Sequence, residues 1–334
     1  MGGSMFGRVW HLREQPSVIE YRCFRNNDPP RLAEVWRSAD LGPLAMQPMT
    51  TADLESGVFS KPYFDRRGLI VAVEEGRIVG FAHAGFGPAA DQKSIDTRVG
   101  STLLVIVPPH PSENEIRDQL LGRCEMYLRE SGATCLLGGG NDSFRGFYLG
   151  LYGGSDLPGI LDSSPAMQQV FLRAGYQKRE KITILRRPLE GFRVPVNRLH
   201  VAIRRRTVMH VIDEPERRTW WEAATTTGVA LRRYELRNKT DDVLGSADFW
   251  DMQPLAQGWG VVAAGLLHVD IEGPRRRQGL AHYLIAEAMH DLSQEGVALI
   301  EAHTTDANVP AANLFEKLDF SESGQGILFE KPVT

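Results

Sequence analysis

Two short stretches near the C-terminus carry residue types and spacings suited to chemistry. The first is Arg275, Arg276, Arg277, Gln278, Gly279, Leu280 and Ala281. It follows an apolar run over residues 262–271 that includes Leu267, Val269 and Ile271. It opens a stripe of Leu280, Leu284, Ala288 and Leu292, one at every fourth residue, which Gly296 ends. The pattern predicts a strand, a glycine turn and an amphipathic helix. A helix start offers free N–H groups and partial positive charge, the arginines add charge, and glycine leaves the backbone open to a ligand. Phosphate is the natural guest. The second stretch has His303 at the end of a strand-like run, 297–303, followed by Asn308, Pro310, Ala311, Leu314 and Phe315. It predicts a second helix with Asn308 as N-cap and Pro310 in its first turn.

His303 is the first candidate for a proton acceptor, since an imidazole titrates near neutrality at about 6.5. The competing role is a strand-end histidine bonded to backbone. Under strict alternation Glu301 shares its face and can orient it. His268 and Asp270 are the second candidates. They alternate with apolar Leu267 and Val269, an arrangement that can turn both away from a ligand beside that strand.

Arg-x-x-Gly-x-Ala after a strand resembles the acetyl-CoA pyrophosphate motif of the GNAT N-acetyltransferase superfamily. Asn-x-x-Ala-x-x-Leu-Phe-x-Lys-x-x-Phe, over residues 308–320, is similar to that superfamily's second motif. The match covers roughly residues 260–330. The resemblance implies that backbone N–H groups from Arg276 to Ala281 hold a pyrophosphate, with charge from Arg275, Arg276 and Arg277. It implies that Val269, Asp270 and Ile271 pair with the pantetheine arm like another strand, and that Asn308, Ala311 and Phe315 lie beside the arm and sulfur. In some members a carboxylate twelve residues before the second motif's tyrosine is the base, a place that falls on His303 here. This chain has Phe315 where that tyrosine usually stands, so the hydroxyl that often protonates the departing thiolate is missing.

The elements that must position these residues occur twice. A hairpin over 69–81 has a counterpart over 231–247. A strand at 102–107 and a helical stripe of Ile116, Leu120, Cys124 and Leu128, ended by Gly132, answer the 262–271 strand and the Leu280 helix. Ser164 to Tyr176 answers Asn308 to Phe320 at a constant offset of 144 residues. The expected fold is α/β (α+β): two GNAT-like domains, each a mixed, mainly antiparallel twisted sheet flanked by helices. Residues 1–17 read as an N-terminal extension, 18–190 as a degenerate copy and 191–334 as the acetyl-CoA-binding copy, with a proline-bearing linker at 188–195. In the first copy the arginine–glycine loop is replaced by prolines, and Glu113 and Glu115 at the helix start would repel a pyrophosphate. The first copy also carries an insertion of about twenty residues with Gly138-Gly139-Gly140, expected as a surface loop. Its cluster of Phe147, Tyr148, Leu151 and Tyr152 is expected either as a cap on its own domain or as a wall of the partner's pocket. The Arg204–Arg206 run reads as a solvated strand or loop. Trp220 and Trp221 read as part of a helix capped near Asp213.

A length of 334 residues with 42% hydrophobic and 24% charged residues suits two domains of an ordinary globular enzyme. A net charge of −4 gives no reason to expect nucleic acid or an anionic membrane as partner. Three cysteines without metal spacing point to reduced thiols, no metal and a cytoplasmic setting. The expected function is transfer of acetyl from acetyl-CoA, as cosubstrate, to an amine, with a monomer or homodimer as the working unit. The acceptor is open between a small amine, an antibiotic, a peptide N-terminus and lysine. The overall plan is similar to that of mycothiol synthase, a tandem member, without a substrate match. The rival reading is a catalytically silent acyl-CoA-binding sensor or scaffold.

Overall fold

The structure, a computed structural model, describes residues 18–141 and 144–333; the N-terminal extension lies outside them. The first copy runs β1 (Ile19–Cys23), α1 (Pro29–Ser38), α2 (Thr51–Leu54), a π-helical turn (Glu55–Phe59), β2 (Leu69–Glu74), β3 (Arg77–Pro88) and β4 (Ile95–Ile106). It continues with α3 (Glu113–Glu130), β5 (Cys135–Gly138), β6 (Ile160–Leu161), α4 (Pro165–Arg173) and β7 (Gln177–Pro188). The second begins with α5 (Arg198–Arg206) and β8 (Thr207–Asp213), followed by α6 (Trp220–Thr225), β9 (Leu231–Asn238), β10 (Val243–Asp251) and α7 (Gln253–Trp259). Then come β11 (Ala263–Ile271), α8 (Leu280–Gln294), β12 (Leu299–Thr305), α9 (Val309–Lys317) and β13 (Ser321–Pro332). The strand–helix–strand–helix–strand order from β4 to β7 is repeated from β11 to β13.

Both copies share one mainly antiparallel sheet, in the order β1-β2-β3-β4-β5-β13-β7-β12-β11-β10-β9-β8, with β6 beside β13. Among the described residues only β4–β5 and β11–β12 are parallel. The final strands are exchanged, a feature the repeat does not reveal. Strand β7 of the first copy pairs with β12 of the second, from Leu299↔Pro188 to Thr305↔Ile182, while β13 pairs with β5 of the first. Hydrogen bonds across these ladders tie each copy to the other's strand.

The helix that matters most is α8. Its stripe Leu280, Leu284, Ala288 and Leu292 is buried, and Tyr283, Ile285, Ala286 and Met289 widen the buried face. Burying each large apolar side chain contributes about 1.5–3 kcal/mol. The helix stops where Gly296 takes φ 93° and Val297 N–H returns to the Leu292 carbonyl at 3.0 Å.

Three local readings change. Arg204, Arg205 and Arg206 end helix α5, which Asn197 caps by accepting from His200 N–H, and Arg204 pairs with Glu287 at 2.5 Å. Helix α6 is capped by Thr219, which accepts from Glu222 N–H, because Asp213 still belongs to β8. Gly138, Gly139 and Gly140 are buried, against Phe171, Gly159 and Leu157, because the insertion folds inward over the sheet.

Candidate active site

Strands β11 and β12 pair in parallel only from Ala263↔Leu299 to Leu266↔Ala302. Beyond that point they part. Strand β11 stays with β10, placing Val269 opposite Ala247 and Ile271 opposite Gly245, and β12 stays with β7, placing His303 opposite Ile184. A bulge falls where the partners of Phe249 and Asp248 jump from Leu266 to His268, leaving Leu267 out of register. The backbone of β11 past Leu266 therefore has a free edge toward the opening, where an extended chain can hydrogen-bond as an added strand.

Where β11 ends, Gly273–Arg275 form a turn of 3-10 helix, Arg277 takes φ 60°, and Gly279 takes φ 78° before α8 begins. Arg275, Arg276, Arg277 and Gln278 are exposed. Arg276 lies 3.5 Å from Asp270 and Arg275 3.7 Å from Glu272, exposed pairs that hold a guanidinium weakly. The loop thus offers movable positive charge and the orphan N–H groups of Gly279 to His282. A Cβ at Gly279 would sit 2.5 Å from Leu199 Cδ2, so its open side accommodates α5.

The opening between β11 and β12 leads into a cavity of about 620 Å³. His268, Val269, His303, Asn308, Ala311 and Phe315 line it; Asp270, Ile271 and the loop residues Arg275 to Ala281 do not. Asn308 caps α9, its side chain accepting from Ala311 N–H at 3.2 Å. Phe315 is buried, its ring 5.1 Å from that of Phe320, and carries no hydroxyl into the cavity.

His303 is nearly enclosed. Its Nε2 lies 3.5 Å from Glu301 Oε1, and Nδ1 has no partner among the described residues. At 3.5 Å the contact is a close pairing rather than a short hydrogen bond. Glu301 is fully buried and held by Ser155 N–H and Arg186 Nε, both at 2.7 Å. Burial alone would raise its carboxyl, but His303, the Arg186 charge and the Ser155 N–H together hold it below the usual range. His268, across the ladder from Asp248, has its pKa lowered, first by desolvation and then by the Arg218 charge.

Several lining residues escape sequence reasoning. Asp248, buried, is clamped by Arg233 at 2.7 Å and Arg218 at 2.9 Å, and Glu222 of α6 stands beside them. An aspartate inside the apolar run of β10 was the available signal. Trp221, the buried tryptophan of the pair, lines the cavity, whereas Trp220 is 41% exposed. Gln92, Asn141, Arg145, Asp156 and Leu157 arrive from the first copy. Arg145 Nε donates to Asp156 at 2.9 Å. The cluster takes the first of the two places expected for it. Phe147, Tyr148, Leu151 and Tyr152 are buried in the first copy's core, while the insertion's flanks line the second copy's cavity.

The corresponding opening in the first copy is filled. Strands β4 and β5 pair only from Val99↔Cys135 to Thr102↔Gly138, with the same bulge, here at Leu103. Phe147, Tyr148 and Leu157 pack in one core with Leu103 and Leu104, and the Tyr148 hydroxyl meets His83 Nδ1 at 3.0 Å. Glu113 and Glu115 occupy the first turn of α3.

Residues 201–320 match the family model described as "Acetyltransferase (GNAT) family". No curated protein matches the chain. Among solved structures, the chain is similar to a GCN5-related glucosamine N-acetyltransferase region of a fungal multi-domain β-N-acetylglucosaminidase, with a TM-score of 0.67 and 15% identity, over 95% of this chain and 38% of that longer one. It is similar to a tandem GNAT protein from the clavulanic acid biosynthesis pathway (TM-score 0.67, 14% identity, 94% of this chain and 98% of that one). A GCN5-related N-acetyltransferase from Sphaerobacter thermophilus follows (TM-score 0.61, 12% identity, 94% and 95%). At these identities the likeness is one of fold. No helix among the described residues is long and apolar enough to cross a membrane. Residues 201–320 thus form a domain of the acetyltransferase (GNAT) family, within a chain that has the tandem GNAT fold.

Proposed function

We propose that the chain is an acetyl-CoA-dependent N-acetyltransferase whose chemistry takes place in the second copy, residues 191–334, with residues 18–190 as a copy that binds no coenzyme. The observation that carries this reading is the parting of β11 and β12 beside an exposed arginine–glycine loop, with His303 and Phe315 lining the cavity between. The coenzyme supplies an activated acyl thioester. The loop from Arg276 to Ala281 takes its pyrophosphate, and the free edge of Val269 and Ile271 takes its extended arm.

An amine is protonated at neutral pH and must lose a proton before it can attack. His303 receives that proton, directly or through water, and Glu301 stabilises the imidazolium. The new bond joins the amine nitrogen to the acetyl carbon, the nitrogen releases its second proton to water, the carbon–sulfur bond breaks, and sulfur leaves as thiolate. Phe315 gives no proton, and a thiol with a pKa near 8.5 is acidic enough to leave without one. His268 is the second choice as base. Among the cavity's charged side chains Asp156, Glu180, Glu222 and Asp248 outnumber Arg145 and Arg218, which suits an ammonium.

The test is thiol release from acetyl-CoA across a library of primary amines. Release that requires the amine supports the reading. Binding of acetyl-CoA without transfer to any amine favours the silent sensor instead, a role consistent with the missing hydroxyl at Phe315.

A further inference from the structure

The first copy has lost the coenzyme loop, yet it reaches into the second copy's cavity. Helix α6, which brings Trp221, Glu222 and Thr225 to that cavity, has only six residues and cannot hold its conformation alone. The first copy holds it at both ends. At the N-terminal end the Thr219 hydroxyl donates to Gln92 Oε1 at 2.9 Å, and Trp221 N–H donates to the Gln92 carbonyl at 3.2 Å. At the C-terminal end Lys61 Nζ donates to the carbonyls of Ala224 at 3.3 Å and Thr225 at 3.0 Å. Lys61 is 7% exposed, and those bonds are to carbonyls that a helix end leaves unsatisfied. Between the two clamps the Tyr63 ring lies 4.7 Å from that of Trp221. The wall facing α6 includes the Arg145–Asp156 pair of the insertion.

We propose that the first copy serves as the acceptor-binding half of the second copy's site, with Lys61 and Gln92 fixing α6 and the Arg145–Asp156 pair completing the wall around a primary ammonium. This rests on the acetyltransferase reading. It assigns Lys61 and Gln92 as positioning residues, acting through α6 rather than on the reacting atoms, and gives the degenerate copy a task that explains its keeping an insertion turned toward its neighbour. Because the clamps act on α6, and no residue of the Arg276–Ala281 loop lines the cavity that α6 faces, they govern the amine and not the coenzyme.

The experiment uses the full chain with Lys61→Met and, separately, Gln92→Ala, the latter on the β3–β4 turn where folding is least at risk. Three quantities are read: hydrogen exchange of residues 219–227, the acetyl-CoA-induced rise in melting temperature, and KM and kcat for the amine that the wild type acetylates fastest in the library. Each variant is expected to exchange faster within 219–227 and to raise the amine KM by roughly tenfold or more, with kcat changed far less and the acetyl-CoA shift retained. Unchanged exchange in both variants overturns the clamp. Faster exchange with an unchanged amine KM overturns the acceptor role while leaving the acetyltransferase reading intact. A wild type that binds acetyl-CoA but acetylates no amine overturns both, and the exchange data then report on α6 alone.

Discussion

Replacing Glu301 by glutamine tests the junction between the copies and the proposed base together. The carboxylate accepts Ser155 N–H on Oε1 and Arg186 Nε on Oε2, each at 2.7 Å, and is fully buried. An amide of the same shape has one oxygen, so whichever way it is set its NH₂ faces a donor. An unsatisfied buried donor costs about 1–3 kcal/mol, and breaking a buried ion pair about 3–5. Arg186 is 26% exposed and its guanidinium stacks 4.1 Å above the Trp259 ring, so water and the ring recover part of that loss. We expect a net destabilisation of about 2–3 kcal/mol. With about 2.1 cal/mol/K of unfolding entropy per residue over 334 residues, the melting temperature should fall by roughly 3–4 °C. Gly154→Ala should act in the same direction, because the added Cβ runs into Glu301 Oε1 at a φ of 92°. Calorimetric unfolding of both variants gives the stability, and amine-dependent thiol release gives the turnover, which Glu301→Gln should lower if Glu301 supports the His303 imidazolium. A glutamine variant within about 0.5 kcal/mol of wild type, the scatter of an ordinary surface substitution, would refute the buried-pair argument.

His303→Ala should lower turnover about a hundredfold while the acetyl-CoA affinity barely moves; unaltered turnover would transfer the role to His268 or to water. Phe315→Tyr should bring no gain in turnover, since the thiolate leaves unaided, and a several-fold gain in steady-state rate would show that leaving-group protonation is limiting. His83, fully buried, has its pKa pushed down to about 3 by desolvation. Its folded value lies below its unfolded value near 6.5, so its contribution is full above pH 6.5 and is lost as the pH falls toward 3. The slope is about 1.4 kcal/mol per pH unit. Urea unfolding of His83→Gln should show a pH dependence shallower by one proton over that range, and equal slopes in variant and wild type would count against a neutral buried imidazole.

The elements around the proposed coenzyme end were legible because their determinants are local. The stripe from Leu280 to Leu292, the turn at Gly279 and the cap at Asn308 each depend on residues within one or two helical turns, and the structure has them in place. The repeat was legible for the same reason, as strand and helix periods recur in order. The proposed acceptor end was not. It is assembled from Gln92, Arg145 and Asp156 of one copy and Arg218, Glu222 and Asp248 of the other, brought together by packing that no short window encodes. The exchange of β7 and β13 was hidden because both strands have the same length and can satisfy either neighbour's ladder. Helix α5 was missed because few of its apolar residues turn inward. Only His200 and Ile203 are buried, and the arginine run at its end masks the period.

The central claim, a single coenzyme site in the second copy, is tested most directly by calorimetric titration of the full chain with acetyl-CoA, for wild type and Gly279→Glu. The first copy's opening is filled by Phe147, Tyr148 and Leu157, and acidic residues sit at the start of α3. The second copy's opening adjoins the arginine loop. One site per chain is predicted for the wild type. None is predicted for the variant, whose side chain meets Leu199 at a positive φ and adds a negative charge at the phosphate loop. Two sites of similar affinity in the wild type, or a single site that survives Gly279→Glu unchanged, would contradict the account.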